Sequence, residues 1–306
     1  MSDREVLSAR LGSVGFWTFQ LDGLDASAAR EAASQVEEMG YGAIWIPEGF
    51  GSKEAFSHSA LLLEATRSIV VATGIANVWA RDPMAMASGG KVLADAYPER
   101  FLLGIGVSHA VRAEGRGHTY SRPLTKMRSY LADMDSADGP ELPAAPRVLA
   151  ALGPRMLELS RDASMGAHPY FVPVEHTVQA REILGPDRFL APEQLVVLDT
   201  DPAVARSVGR EFMANYLALP NYANNLRRLG WGEDDLADPS DAFVDALVAW
   251  GDVDAVCARI QEHLDAGADH VCLQVVRPDD AYPADELREL APAIRERFAR
   301  QEGRVS

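Results

Sequence analysis

The chain has 306 residues, 47% hydrophobic and 24% charged, ordinary globular values that exclude a disordered or fibrous protein. A formal charge of −16 argues against nucleic acid or an anionic membrane surface as a general partner, because phosphate attracts the opposite sign. Two cysteines, Cys257 and Cys272, exclude a disulfide framework and a cysteine-rich zinc site, and read as packing residues.

Met1-Ser-Asp-Arg-Glu has charges where a signal peptide needs an apolar core, and no uncharged apolar run is long enough to span a bilayer. A soluble, cytoplasmic protein is expected. Only three of the 29 cations are lysines, Lys53, Lys91 and Lys126. With the heavy use of Ala and Gly, this bias points to a GC-rich genome more than to a function.

Strand and helix alternate along the chain. Ser13–Phe19 reads as a strand, and a helix follows over Ser27–Met39 with an apolar stripe at Ala29, Ala32, Val36 and Met39 and Gly40 as its stop. Ala43–Pro47 is the second strand, with a helix around Ser59–Thr66. Ile69–Ala76 is the third, and Asp82-Pro83 caps the next helix, the proline standing where a missing N–H costs nothing. Phe101–Val107 is the fourth, with a helix near Leu124–Met134. Arg147–Ala151 leads to a helix through Met156–Ala163, and Ala167–Val172 to one around Thr177–Leu184. Gln194–Leu198 is the seventh strand, and Asp201-Pro202 caps another helix. Asp269–Val276 is the eighth, and the last helix runs over Glu286–Ala299.

Met39-Gly-Tyr-Gly-Ala-Ile-Trp-Ile echoes Ala266-Gly-Ala-Asp-His-Val-Cys-Leu: helix end, glycine stop, buried strand. Eight such units predict parallel pairing and closure into a (β/α)8 TIM barrel, an α/β fold that needs about 250 residues. The surplus forms a helical excursion over 211–250, between strands seven and eight. Nothing divides the chain, so a single domain over 1–306 is expected.

In a barrel the chemistry sits at the C-terminal ends of the strands. Those ends carry no HExxH, no GxSxG, no Walker loop and no paired histidines, and Gly104-Ile-Gly106 lacks the third glycine of a dinucleotide fingerprint. No metal site is expected. Gly153-Pro154-Arg155-Met156 follows a strand and opens a helix, where free N–H groups can cradle an anion; a plain strand-to-helix turn reads the same way. Gly74, inside the apolar run Thr73–Asn77, marks either a backbone approach to a ligand or a packing bend. Ser108-His109 ends strand four, where His109 can relay a proton or serve as a structural histidine. His118, His168 and His176 are its rivals. Trp17, Trp45 and Trp79 could wall a flat ring or pack the barrel.

Gly12-Ser-Val-Gly-Phe-Trp, Arg100-Phe-Leu-Leu-Gly-Ile-Gly-Val-Ser-His-Ala, Leu152-Gly-Pro-Arg-Met-Leu-Glu-Leu and Gly166-Ala-His-Pro-Tyr occur in order over nearly the whole chain. Together they resemble the luciferase-like monooxygenase superfamily, and within it the actinobacterial branch of coenzyme F420-dependent oxidoreductases. The resemblance implies hydride transfer between the deazaflavin F420 and a small organic substrate. It also implies a non-proline cis peptide, here Gly74–Ile75, behind the ring. Further cofactor contacts fall at Asn77 and Ser108, and the phosphate falls on Gly153, Pro154, Arg155 and Met156. A homodimer is the default by the same analogy.

Two departures bear on substrate. Sugar-phosphate-oxidising relatives end strand two in Asp-His, where this chain has Glu48-Gly49, and place a glutamate where His109 stands. Without that histidine, and without an evident lysine after strand six, a sugar-phosphate dehydrogenase is disfavoured. His109 and Glu48 become the candidate catalytic pair, with Glu48 contacting cofactor or substrate. The alternatives are an FMN-dependent monooxygenase on the same barrel and a flavin- or deazaflavin-binding protein without catalysis.

Overall fold

The computed structural model describes residues 1–49 and 51–298. Among them, the strands are β1 (Val14–Trp17), β2 (Ala43–Ile46), β3 (Val70–Thr73), β4 (Ala76–Asn77), β5 (Phe101–Gly106), β6 (Arg147–Leu149), β7 (Gly166–Ala167), β8 (Phe189–Leu190), β9 (Glu193–Val197), β10 (Val248–Trp250) and β11 (Val271–Val275). Every pairing is parallel. β3 and β4 are one strand broken at Gly74-Ile75.

β8 and β9 are likewise one strand, broken at Ala191-Pro192 because proline has no N–H for the ladder. Across that break the Ala191 N–H donates to Ala167 O and the Glu193 N–H to Pro169 O, both at 2.9 Å. On the other side Asp269 N–H donates to Leu190 O at 2.8 Å and Cys272 N–H to Pro192 O at 2.9 Å. These bonds join β7 to β11 and close eight parallel strands into the expected barrel.

The outer helices form where the apolar stripes put them, and side-chain caps set their starts. Asp25 caps Ala26–Glu38, Glu54 caps Ala55–Ala65, Asp82 caps Pro83–Ala96 and Asp252 caps Val253–Asp265. Gly40 and Gly267 follow their helices with φ of 86° and 100°, a conformation that favours glycine, so the echoed joints share one stop. Most of the core lies between barrel and helices; inside the barrel a second cluster holds Trp17, Trp45, Leu102 and Phe189. Leu7 and Leu11 join that inner cluster from a helix over Asp3–Leu11, which starts in a Ser2/Glu5 capping box and escaped the sequence reading.

The structure corrects three boundaries. Strand six ends at Ala167, not Val172, because Pro169 cannot donate and Phe171 turns to φ 57°. The additional helices start before Glu211: Asp201 caps one continuous helix over Pro202–Leu217, followed by Pro220–Arg228, Glu233–Ala237 and Asp241–Leu247. The last helix is described over Ala284–Phe298, and Ala299 lies outside the described residues. No helix among the described residues is long and apolar enough to cross a membrane.

Candidate active site

The strand-three break sits in the barrel mouth. Gly74 N–H donates to Ile46 O at 2.7 Å, Glu48 N–H donates to Ile75 O at 3.2 Å, and Thr73 Oγ1 donates to Gly104 O at 2.7 Å. β2 and β5 thus hold the bulge from both sides, and the Gly74–Ile75 peptide is cis. The neighbours must be small. A Cβ on Gly74 would meet Trp17 Nε1 at 2.5 Å, and one on Gly106 would meet Ile75 Cγ1 at 2.5 Å.

Beside the bulge lies a cavity of about 80 Å³ walled by Trp17, Gly74, Ile75, His109, His168 and Tyr170. Among the described residues, two buried polar atoms of its wall have no protein partner: Trp17 Nε1, a donor, and His168 Nε2. His168 Nδ1 lies 2.7 Å from the Ala191 carbonyl, so Nδ1 carries the proton and Nε2 is a bare acceptor. His168 stacks on Trp45, which borders none of the cavities and donates its Nε1–H to His270 Nε2 at 3.1 Å. Trp79 packs elsewhere, donating to Val107 O and bracketed by His118 and Tyr120. His118 is exposed, with Nε2 3.1 Å from Trp79 O; His176 is buried, with Nε2 2.9 Å from Leu152 O.

His109 borders both this cavity and a neighbouring one of about 200 Å³ that extends past Ser108 to Gly153 and Met156. Its Nδ1 lies 2.9 Å from Asn221 Oδ1, which fixes the neutral tautomer with Nε2 free. Burial, reinforced by the nearby Arg112 charge and only partly offset by Asn221, pushes its pKa down to about 4. His109 is therefore neutral near pH 7, able to accept a proton and not poised to donate one.

Glu48 reaches the cavity edge, but its carboxylate is engaged. Both oxygens bind Arg81, with Arg81 Nη1 2.8 Å from Oε2, and they accept the Asn77 N–H at 2.8 Å and the Ala55 N–H at 3.3 Å. Arg81 is also held by Glu54 at 2.5 Å. This pair ties the end of strand two to the strand-three bulge. Asn77 is buried behind the bulge and borders none of these cavities; its Oδ1 accepts the Trp79 N–H at 3.0 Å and its Nδ2 has no partner.

Gly153, Pro154, Arg155 and Met156 do come together, at the start of the Pro154–Ala163 helix, where no side chain caps the free N–H groups. An open cavity of about 570 Å³ runs over this helix start, and Arg122, Arg155 and Arg228 border it. Arg228 arrives from the Pro220–Arg228 helix and stands close enough that a Cβ on Gly153 would come 3.4 Å from its Nη2. A helix N-terminus with three guanidinium groups is an anion site by both dipole and charge.

Residues missed in the sequence come mainly from the added helices. Tyr216 and Tyr222 fold over the mouth against Tyr170 and Phe171, and Asn221 holds His109. The Tyr170 hydroxyl lies 2.8 Å from that of Tyr216 and donates to Gln274 Oε1 at 2.7 Å. Glu193 is buried on β9; its Oε2 accepts the Phe171 N–H at 2.9 Å, Oε1 has no partner, and burial pushes its pKa up to about 8. Its one signal was an acid inside an apolar strand.

The Luciferase-like monooxygenase family model matches residues 13–270, most of the chain. The chain belongs to the luciferase-like monooxygenase family. Its sequence is 26% identical over 290 residues to 5,10-methylenetetrahydromethanopterin reductase of Methanolobus tindarius, covering 78% of this chain and 87% of the relative. As a luciferase-like barrel it superposes on an F420-dependent secondary alcohol dehydrogenase in complex with an F420-acetone adduct, with a TM-score of 0.73 at 16% identity over 93% of this chain and 99% of the other. It superposes also on the oxygenating constituent of 3,6-diketocamphane monooxygenase from Pseudomonas putida in complex with FMN, with a TM-score of 0.68 at 16% identity over 94% and 98%.

Proposed function

We propose that this luciferase-like protein is a coenzyme F420-dependent oxidoreductase, in which hydride passes between the deazaflavin and a small organic substrate. The observation that carries the reading is the row of three adjoining cavities, the inner one at the Gly74–Ile75 bulge sharing Ser108 and His109 with the next, which shares Gly153 and Met156 with the one over the helix start. A flat ring would need both the inner cavity of about 80 Å³, where the orphaned Trp17 Nε1 and His168 Nε2 offer a donor and an acceptor, and the neighbouring one of about 200 Å³ beside Ile75 and His109. A polyanionic tail fits the outer end, where Arg122, Arg155 and Arg228 exceed what a single phosphate requires. The F420-dependent secondary alcohol dehydrogenase that shares this barrel supports the same cofactor.

A bound deazaflavin supplies two-electron hydride chemistry and reacts poorly with oxygen. The chain's own residues do the rest. Gly74 and Ile75 would hold the ring and position it against the substrate. His109, kept neutral and oriented by Asn221, would accept a substrate hydroxyl proton at Nε2 during oxidation. Glu48 acts through Arg81 and the Asn77 N–H, as a positioning residue for the bulge.

FMN is the second reading, because an FMN complex shares the fold. Titration following tryptophan fluorescence separates the two, since Trp17 lines the cavity. F420 is expected to quench saturably, and Arg155→Ala and Arg228→Ala each to weaken it about ten-fold, in a salt-dependent way. Quenching by FMN alone, with oxygen consumption by the reduced flavin, refutes the F420 assignment. Unchanged turnover of an identified substrate in His109→Ala removes His109 from the chemistry.

A further inference from the structure

The inner cavity has a second exit, away from the anion end. It opens on a groove of about 580 Å³ that shares Phe19, Arg112 and Tyr216 with the inner wall and is floored by Val208, Phe212, Leu219 and Val276. Arg112 stands at the junction. It is half-buried in the short helix Ala110–Glu114, and its guanidinium makes no hydrogen bond or ion pair among the described residues.

The other charges near this junction are neutralised or lie at the rim. Arg277 is held by Asp279 at 3.0 Å and Glu286 at 2.7 Å, and Glu48 by Arg81. Glu211 and Asp280 border the outer groove but are exposed, where water screens them. The charge of Arg112 reaches inward: it adds to the burial that lowers the pKa of His109 and opposes, without overcoming, the burial that raises those of Tyr216 and Tyr222. The backbone also leaves space for it: a Cβ on Gly49 would come 3.0 Å from Arg112 Nη1.

Among the described residues this half-buried guanidinium has no hydrogen-bond or ion-pair partner to offset its burial, and the arginines of the anion end, Arg122, Arg155 and Arg228, border a different cavity. We infer that the substrate is an amphipathic organic acid, its carboxylate held by Arg112 between the two cavities and its apolar body lying along the Val208–Phe212–Leu219–Val276 groove. This inference rests on the F420 reading only in assigning the ring to the inner cavity and the Gly153 end. Arginine suits the task because its planar fork meets both carboxylate oxygens.

Calorimetric titration with hexanoate, hexan-1-ol and hexylammonium, with and without saturating F420, tests it. Hexanoate is expected to bind at least ten-fold more tightly than hexan-1-ol, and hexylammonium not measurably. Arg112→Gln is expected to lose hexanoate at least ten-fold, to hold hexan-1-ol and F420 within two-fold, and to keep the wild-type circular dichroism. Arg112→Lys is expected to retain part of the preference. No preference for hexanoate in the wild type, or the same hexanoate affinity in Arg112→Gln, overturns the inference. So does an equal loss of F420 in Arg112→Gln, which assigns the guanidinium to the cofactor. If hexanoate depends on Arg112 while F420 fails to bind, the acid site stands and the cofactor reading falls.

Discussion

The Glu48–Arg81 pair offers a direct test of how the mouth is built. Both side chains are nearly buried, at 3% and 10% exposure, whereas Glu54, the third member, is 48% exposed and adds little. Arg81→Met leaves the Glu48 carboxylate with only the Asn77 and Ala55 N–H groups. Stranding one partner of a buried pair costs about 3–5 kcal/mol. For a chain of 306 residues the unfolding entropy is roughly 0.6 kcal/mol per kelvin, so Tm should fall by about 5–8 °C. Arg81→Met/Glu48→Leu removes the stranded charge and should recover more than half of that loss, since an apolar pair can replace a buried ionic one. Scanning calorimetry reads both variants. Arg81→Met within about 2 °C of wild type shows the pair to be energetically idle. Glu48→Gln with wild-type Tm but no turnover and an altered pH profile shows the carboxylate acting on the substrate, and the positioning role is then wrong.

Further outcomes follow from the same geometry. Burial lowers the pKa of His58, His109, His168, His176 and His270 from 6.5 to about 4 and of His263 to about 3. Each stays neutral when folded and binds a proton when unfolded, so its stabilisation is complete above pH 6.5 and drains as pH falls through 4. Tm should therefore drop steeply between pH 6.5 and 4.5, and a flat profile contradicts the burial of these rings. Glu193 has the opposite sign: protonated when folded and ionised when unfolded above pH 4.5, it contributes stability that is lost as pH rises through 8. Glu193→Gln should match the wild type at pH 4.5 and surpass it by a margin that grows up to pH 8 in urea unfolding; equal curves at pH 9 mean the acid is ionised in the fold. A Cβ on Gly104 would lie 2.0 Å from Thr73 O, so Gly104→Ala should express as insoluble or strongly destabilised protein, and a wild-type Tm contradicts that packing.

Local signals carried most of the fold. Apolar stripes, Asp-Pro caps and glycine stops are read within a turn or two, and they located the eight strand–helix units. Strand six failed because His168-Pro169-Tyr170-Phe171-Val172 is apolar enough for a strand, yet Pro169 and the turned Phe171 end the ladder after Ala167. β8 failed because Ala191-Pro192 splits its strand into two short pieces. The helix over Asp3–Leu11 carries a legible Ser2/Glu5 capping box, but only docking against the strand starts gives its leucines a place to bury.

The sequence by itself determined the parallel barrel, the glycine-bearing bulge at Gly74 and the helix start at Gly153, because backbone geometry and periodicity are written in neighbouring residues. Tertiary structure alone decided the chemistry of the mouth. It turned Glu48 toward Arg81, set Asn221 on His109, folded Tyr216 and Tyr222 over the cavity and set Arg112 between two cavities with no ion pair among the described residues. The physical reason is distance along the chain: Asn221 stands 112 residues from His109, and such partners meet only once the barrel has closed and the added helices have docked across it.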